Sequence, residues 1–420
     1  MDAIKYLKDH KLETYALGKK LFETPELGYK EFETKKIIVD YFKKHNLEIE
    51  QEFFETGFSI SLGKGHPHIG LIAELDAIPT LGHPCANKND KNAAHSCGHS
   101  TQCASLISAF IALSKQGIKK GKVTLFFTPS EEYTDLEYRD KLIKQGKIKY
   151  YGGKINMLTS GLFDDVDMFI HLHMMSEANY HFSVAGTLGG FVYKEITFNG
   201  HAAHAAVCPD KGINALNEFV LFDNAVNMLR ETFVDKDLVR VHGIIKEGGQ
   251  TVNSIPEKVV YECYVRSMDT NALIDVAKKV DNAAKCCAKA IGGTCKIKTK
   301  PGYLPFIQDK NVNSVIYRNM LKYCKPKDII SGNGTIAASD NGDMSIFKPC
   351  IEFGYGGFVG NAHSKDVQIV DEERVYLETA MLVVDSINDL LSDAKICKKI
   401  KDEFKPRMKM KDYLNYINNK

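Results

Sequence analysis

Three chemically active side chains stand within five residues at His95-Ser96-Cys97-Gly98-His99. Cys97 and His99 are alternate residues, so on an extended or tightly turned backbone both side chains can face one way. Imidazole nitrogen and thiolate sulfur are preferred donors for zinc and its neighbours among the divalent ions. An isolated Cys-x-His is equally an ordinary buried pair, since cysteine is among the most buried residue types. The rest of the chain has to decide between these readings.

Further candidates stand where apolar, strand-like runs end. Asp76 follows the run 69–75, and Glu131 and Glu132 follow 123–127. His173 closes 168–172, with His171 on the same strand face, and His363 follows the strand-like run 350–353. Ligands of an open α/β sheet gather beyond the carboxyl ends of its strands. Carboxylate, imidazole and thiolate groups arriving there together can surround two cations. Adjacent glutamates are most often solvated charge. Here they follow an apolar strand and Pro129, and their side chains must diverge. One can then bind a metal while the other acts as general base on a water.

The elements that must hold these groups are legible in outline. At 420 residues the chain exceeds one ordinary core, and 44% hydrophobic with 26% charged residues is globular composition. The first 45 residues read as two helices joined near Pro25. Strands at 58–62, 68–75, 122–127 and 167–173 alternate with helical runs such as 101–116, which predicts a largely parallel α/β sheet flanked by helices. From 191 to 299 the order changes to β-α-β-β-α-β, the ferredoxin-like plan. The expected organisation is a discontinuous catalytic domain, 1–186 and 301–395, an inserted α+β domain, 187–300, and a basic extension, 396–420, carrying one further helix.

The inserted segment adds candidates of its own. His204 lies among alanines in 201–206, Asn253 lies in a glycine-rich turn that begins at Gly248, and Arg266 ends the strand-like run 259–265. A structural histidine, a hairpin turn and a surface arginine are the ordinary readings of each. An arginine there can also clamp a carboxylate bidentately.

A net charge of +2, from 55 basic and 53 acidic side chains, gives no drive toward nucleic acid or a membrane surface. No apolar run approaches the ~20 residues that span a bilayer, and residues 1–8 lack a secretory apolar stretch. Eleven cysteines without a repeated CxxC read as reduced thiols in the cytoplasm.

Taken in order, these positions resemble the M20 metallopeptidase and amidohydrolase family from about residue 12 to 391. The resemblance is carried by Thr24-Pro25-Glu26-Leu27-Gly28 with Glu31, by Ala73-Glu74-Leu75-Asp76-Ala77-Ile78-Pro79, by Cys97-Gly98-His99 and by Pro129-Ser130-Glu131-Glu132. Gly200 to Pro209, the turn 248–256, Ser339-Asp340-Asn341-Gly342-Asp343-Met344-Ser345 and Asn361-Ala362-His363 complete it. The segments 339–345 and 240–243 look most like the branch of p-aminobenzoyl-glutamate hydrolases, aminoacylase-like enzymes and related dipeptidases.

The resemblance implies two divalent metals, zinc, manganese or cobalt, and a lid domain through which the protein dimerises. It implies Cys97, bridging, with His99, Glu132, His173 and His363 as ligands. His173 rather than His171 stands where the family has its ligand. Glu131 would be the general base, Asp76 a carboxylate orienting a ligand, and His204 a group reaching the substrate carbonyl. Asn253 and Arg266 would hold the substrate carboxylate. Where the family usually has Asp or Asn after Cys-Gly-His, and often a second His two positions on, this chain has Ser100 and Gln102.

The expected activity is metal-dependent hydrolysis of the amide bond of an N-acyl amino acid or dipeptide-like substrate with a free carboxylate. A dipeptidase or a deacylase of a biosynthetic intermediate is the alternative within the fold. A non-catalytic metal- or peptide-binding relative is the alternative outside enzymology.

Overall fold

The run His68–Glu74 forms a strand in the middle of the larger sheet, and all its residues are buried. A strand covered on both faces reads as continuous rather than alternating hydrophobicity, as Ile69, Leu71, Ile72 and Ala73 do. In this computed structural model, which describes residues 1–177 and 179–418, the sheet has eight strands. They are β1 (Gln51–Phe53), β2 (Gly57–Lys64), β3 (His68–Glu74), β4 (Gly121–Thr128), β5 (Met168–Met174), β6 (Phe182–Val184), β7 (Ile329–Ser331) and β8 (Cys350–Tyr355). Their order is β1-β2-β4-β3-β5-β8-β6-β7.

The middle four strands, β4-β3-β5-β8, are parallel. Their outer neighbours β2 and β6 pair antiparallel to them. Glu74 lies beside Thr128 and His173 beside Gly354, so the carboxyl ends of these strands lie along one edge. The helix His99–Gln116 packs on this sheet. It is buried without interruption from His99 to Leu113, because sheet and neighbouring helices enclose it. The larger sheet and its flanking helices are thus the mixed α/β architecture read from the sequence.

The chain divides into two compact units. The first comprises 1–186, 307–333 and 343–406, and the second 187–306, 334–342 and 407–420. The second unit contains a four-stranded antiparallel sheet of Arg240–Glu247, Lys258–Ser267, Gly190–Asn199 and Thr294–Pro301, in that spatial order. Its helices are Ala215–Leu229 and Thr270–Ile291. The latter buries Leu273, Val276, Ala277, Val280, Ala284, Cys287 and Ala288, a helical stripe. It starts at an Asp269 cap and stops at Gly292 in the left-handed region.

Two local expectations differ from the structure. The N-terminal 45 residues form three helices, Ala3–Asp9, Lys11–Phe22 and Phe32–Lys44. The break falls at His10, whose Nδ1 lies 2.9 Å from the Tyr6 carbonyl that its own backbone N–H also engages. The tail forms two helices, Ala394–Glu403 and Met410–Ile417. Pro406 lies between them, and a proline disfavours helix in the residue before it. Among the described residues no helix is long and apolar enough to cross a membrane.

Candidate metal centre

Cys97 enters the site through a tight turn. Gly98, the residue before the helix His99–Gln116, has φ 82°, and a Cβ there would stand 2.6 Å from Met174 Cγ. Glycine is what lets Cys97 and His99 flank a turn pressed against β5. His99 Nδ1 lies 2.7 Å from the Asp76 carbonyl oxygen, to which it donates, so Nε2 is the nitrogen a metal would take. His173 is arranged the same way. Its Nδ1 donates to the Met174 carbonyl at 2.8 Å, and its Nε2 lies 3.3 Å from Cys97 Sγ. His363 arrives on a loop tied down by its own N–H to the Ser96 carbonyl, 2.9 Å. Its Nε2 lies 3.1 Å from Cys97 Sγ and 3.3 Å from Glu132 Oε1.

Two triads therefore share one sulfur. Cys97, His99 and His173 form one, and Cys97, Glu132 and His363 the other, with donor atoms in each within 4.8 Å of one another. A third group, Glu74, His99 and Glu131, adjoins them. Asp76 Oδ2 accepts the Glu132 backbone N–H at 2.9 Å, which ties the second carboxylate to the end of β3. His99 Nε2 and Glu132 Oε1 are buried and make no well-formed hydrogen bond among the described residues, although Glu74 Oε2 lies 3.2 Å from the former and His363 Nε2 3.3 Å from the latter. Such atoms in a set of one sulfur, three imidazole nitrogens and a carboxylate suit a borderline divalent ion. Burial and Glu132 push the Cys97 thiol well up. Burial opposes a charge on His99, but Glu74 and Cys97 outweigh it and draw His99 up. A divalent ion shifts both groups the other way, toward thiolate and neutral imidazole.

His171 does not join the cluster. It is fully buried between Glu74, 3.0 Å away, and Glu352, 2.9 Å away. Burial lowers its pKa, but Glu74 and Glu352 together raise it overall. Around Glu74 the sequence hid a polar network. Gln102 Oε1 accepts the Glu74 N–H at 2.6 Å, its Nε2 reaches Glu74 Oε2 at 3.1 Å, and Lys154 Nζ bonds Glu74 Oε1. The one available signal was an acidic residue at the end of an otherwise apolar strand. Ser100, by contrast, is buried with an Oγ that makes no hydrogen bond among the described residues.

The remaining expected residues lie in the second unit. His204 is exposed, and its Nδ1 faces the backbone N–H groups of Ala206 and Val207 at 3.3 and 3.1 Å. These donors occupy Nδ1, so the ring proton sits on Nε2, the nitrogen left to donate outward. The Ala205 N–H bonds the Asn253 carbonyl at 2.9 Å, which brings the His204 and Asn253 segments together. Arg266 lies with its guanidinium 5.4 Å from the Phe191 ring and 5.2 Å from that of Tyr264. Its Nε and Nη1 bond His242 Nε2 and the Ile336 carbonyl, both at 3.3 Å, while Nη2 makes no hydrogen bond among the described residues.

Comparison with known proteins identifies the family. The model of peptidase family M20/M25/M40 matches residues 70–388. The human Xaa-Arg dipeptidase is 26% identical over 373 residues, 83% of this chain and 76% of that protein. The N-acetyl-L-cysteine deacetylase of Bacillus subtilis is 26% identical over 73% of this chain and 72% of its own length. Among solved structures, a dinuclear metal binding peptidase of the M20 family from Bacillus subtilis superposes with a TM-score of 0.69. That superposition is at 20% identity and covers 91% of this chain and 99% of that one. With a family model spanning most of its length, the chain belongs to peptidase family M20/M25/M40 and is a hydrolase of amide bonds.

Proposed function

We propose that the protein is a dinuclear metallohydrolase that releases an amino acid from an N-acyl amino acid or a dipeptide. The observation that carries this is the pair of triads sharing Cys97 Sγ, with the Glu131 carboxyl in the group adjoining them. The support for the substrate class is chemical. Relatives are named for Xaa-Arg, for N-acetyl-L-cysteine and, in Escherichia coli, for p-aminobenzoyl-glutamate. Each name describes an amide whose amine side is an amino acid.

Cys97, His99 and His173 would hold one ion, and Cys97, Glu132 and His363 a second. Zinc, manganese or cobalt bound there would lower the pKa of a water and polarise the scissile carbonyl. Glu131 takes the proton from the attacking water and passes it to the leaving amine as the C–N bond breaks. Asp76 fixes His99 through its carbonyl and the Glu132 backbone through its carboxylate. His204, protonated at Nε2, donates to the substrate oxygen as negative charge develops there, a contribution of ~3 kcal/mol. Arg266, its guanidinium against the Phe191 and Tyr264 rings, is read as presenting Nη2 to the substrate carboxylate, with Asn253 as a further contact to the substrate.

The second unit is read as a lid and a homodimer contact. Support comes from the edge strand Arg240–Glu247, with Ile244 61% exposed, and from Met228, 73% exposed, on the helix Ala215–Leu229. All eleven cysteines are free, which suits the reducing cytoplasm. Sedimentation of the parent against Ile244→Lys tests the dimer.

The decisive experiment is Glu131→Gln on a panel of N-acetyl amino acids and Xaa-Arg dipeptides. Turnover should fall about 10²- to 10⁴-fold with metal retained. Undiminished hydrolysis by metal-loaded Glu131→Gln would remove the base.

A further inference from the structure

The segment 24–31 supplies no metal donor, yet it touches the strand ends that do. The Glu26 carbonyl accepts the Ala77 N–H at 2.7 Å, and Leu27 packs with Ala77 and Ala93. Gly28 faces Ser130 so closely that a Cβ would lie 2.5 Å from its Oγ. Glu31 stands at the start of the helix Phe32–Lys44 but does not cap it. That task belongs to Glu26, whose carboxylate accepts from Glu33 and Thr34 N–H groups at 3.2 and 2.8 Å.

The Glu31 carboxyl goes elsewhere. Its side chain is fully buried, Oε1 accepts the Ser130 N–H at 2.9 Å, and Oε2 accepts the Thr56 hydroxyl at 2.5 Å. Ser130 has φ 58°, left-handed backbone that a non-glycine residue adopts only when its surroundings impose it. This left-handed residue is the hinge that turns the chain from β4 into Glu131 and Glu132. From the other side Arg139, also fully buried, donates to the carbonyls of Glu132 and Tyr151.

We propose that Glu31 is a positioning residue: its carboxyl locks the left-handed turn at Ser130 and so sets the aim of Glu131 and Glu132. The assignment rests on the roles given above to those two glutamates. Burial and Asp76 push the Glu31 carboxyl up to about 8. A neutral Gln, with its oxygen on Ser130 and its amide toward Thr56, therefore reproduces the contacts. An Asp keeps the acid but is one methylene short.

The test compares Glu31→Gln, Glu31→Asp, Thr56→Val and Glu131→Gln in the full chain. The readouts are kcat and KM on the best-cleaved member of the panel, and the visible spectrum and affinity of bound cobalt. Glu31→Gln should stay within about threefold of the parent. Glu31→Asp should lose about 10- to 100-fold in kcat at nearly constant KM, with a changed cobalt spectrum or weaker cobalt binding. Thr56→Val, which leaves the Ser130 bond but unties the other oxygen, should lose less than Glu31→Asp; it carries the test if Glu31→Asp fails to fold. Parental kcat and cobalt spectrum in Glu31→Asp, or in Thr56→Val where that variant carries the test, would overturn the proposal. So would Glu31→Gln as impaired as Glu31→Asp. Full activity of Glu131→Gln would instead overturn the base assignment, and the cobalt spectrum, which reports Glu132, would still judge Glu31.

Discussion

His363 Nε2 lies 3.1 Å from Cys97 Sγ although 266 positions separate the two residues. A thiol shared by imidazoles from opposite ends of the chain is the pivot of both donor triads. Cys97→Ala should therefore abolish binding of both ions, whereas His363→Ala should weaken one. Metal content after dialysis, measured with turnover before and after a chelator and on adding back zinc, manganese or cobalt, distinguishes these outcomes.

Gly98→Ala confronts both a left-handed φ and Met174, whose Cγ lies 2.6 Å from the new Cβ. The cost is about 1–3 kcal/mol, spent in moving the turn that carries Cys97 and His99. Zinc affinity should drop at least about tenfold, read by competition with a chromophoric chelator.

Gln102 and Ser100 depart from the family pattern with opposite consequences. Gln102→Leu strips bonds from Glu74 and His171 and should cost about 2–3 kcal/mol in urea denaturation. Ser100→Ala removes an oxygen that bonds nothing among the described residues and should stay within about 0.5 kcal/mol.

In the second unit, burial pushes the Glu218 carboxyl up to about 7, and neither oxygen has a hydrogen-bond partner among the described residues. The folded pKa exceeds the unfolded one, so the folded state holds the extra proton. This contribution is full below about pH 4 and disappears as pH rises through about 7. Glu218→Gln should accordingly raise the melting temperature at pH 8, by the equivalent of about 1–3 kcal/mol, and change it little at pH 4. A gain independent of pH would exclude the carboxyl as its source.

The middle of the sheet was legible because its strands are largely apolar runs, with chemically active residues at or beyond their carboxyl ends. The donors at those ends were legible for the same reason. Their supports were not. Lys154 carries no local mark of its role, yet it is fully buried on Glu74. Glu31, noted in the sequence only with the segment 24–28, bonds a backbone 99 positions away. A buried charge is identified by its partner, and a local pattern carries no information about partners that far along the chain. His10 and Pro406, which divide helices, act through backbone bonds that hydrophobic periodicity does not register.

The distance between Cys97 and His363 also bears on synthesis. At about 5–20 residues per second, a ribosome needs about 13–50 s to travel from one to the other. During that interval the nascent chain displays Cys97 without its last imidazole, and the segments 187–306 and 334–342 of the second unit are made in between. A chain arrested before residue 363 should leave Cys97 open to alkylation, and release past it in the presence of zinc should close that window.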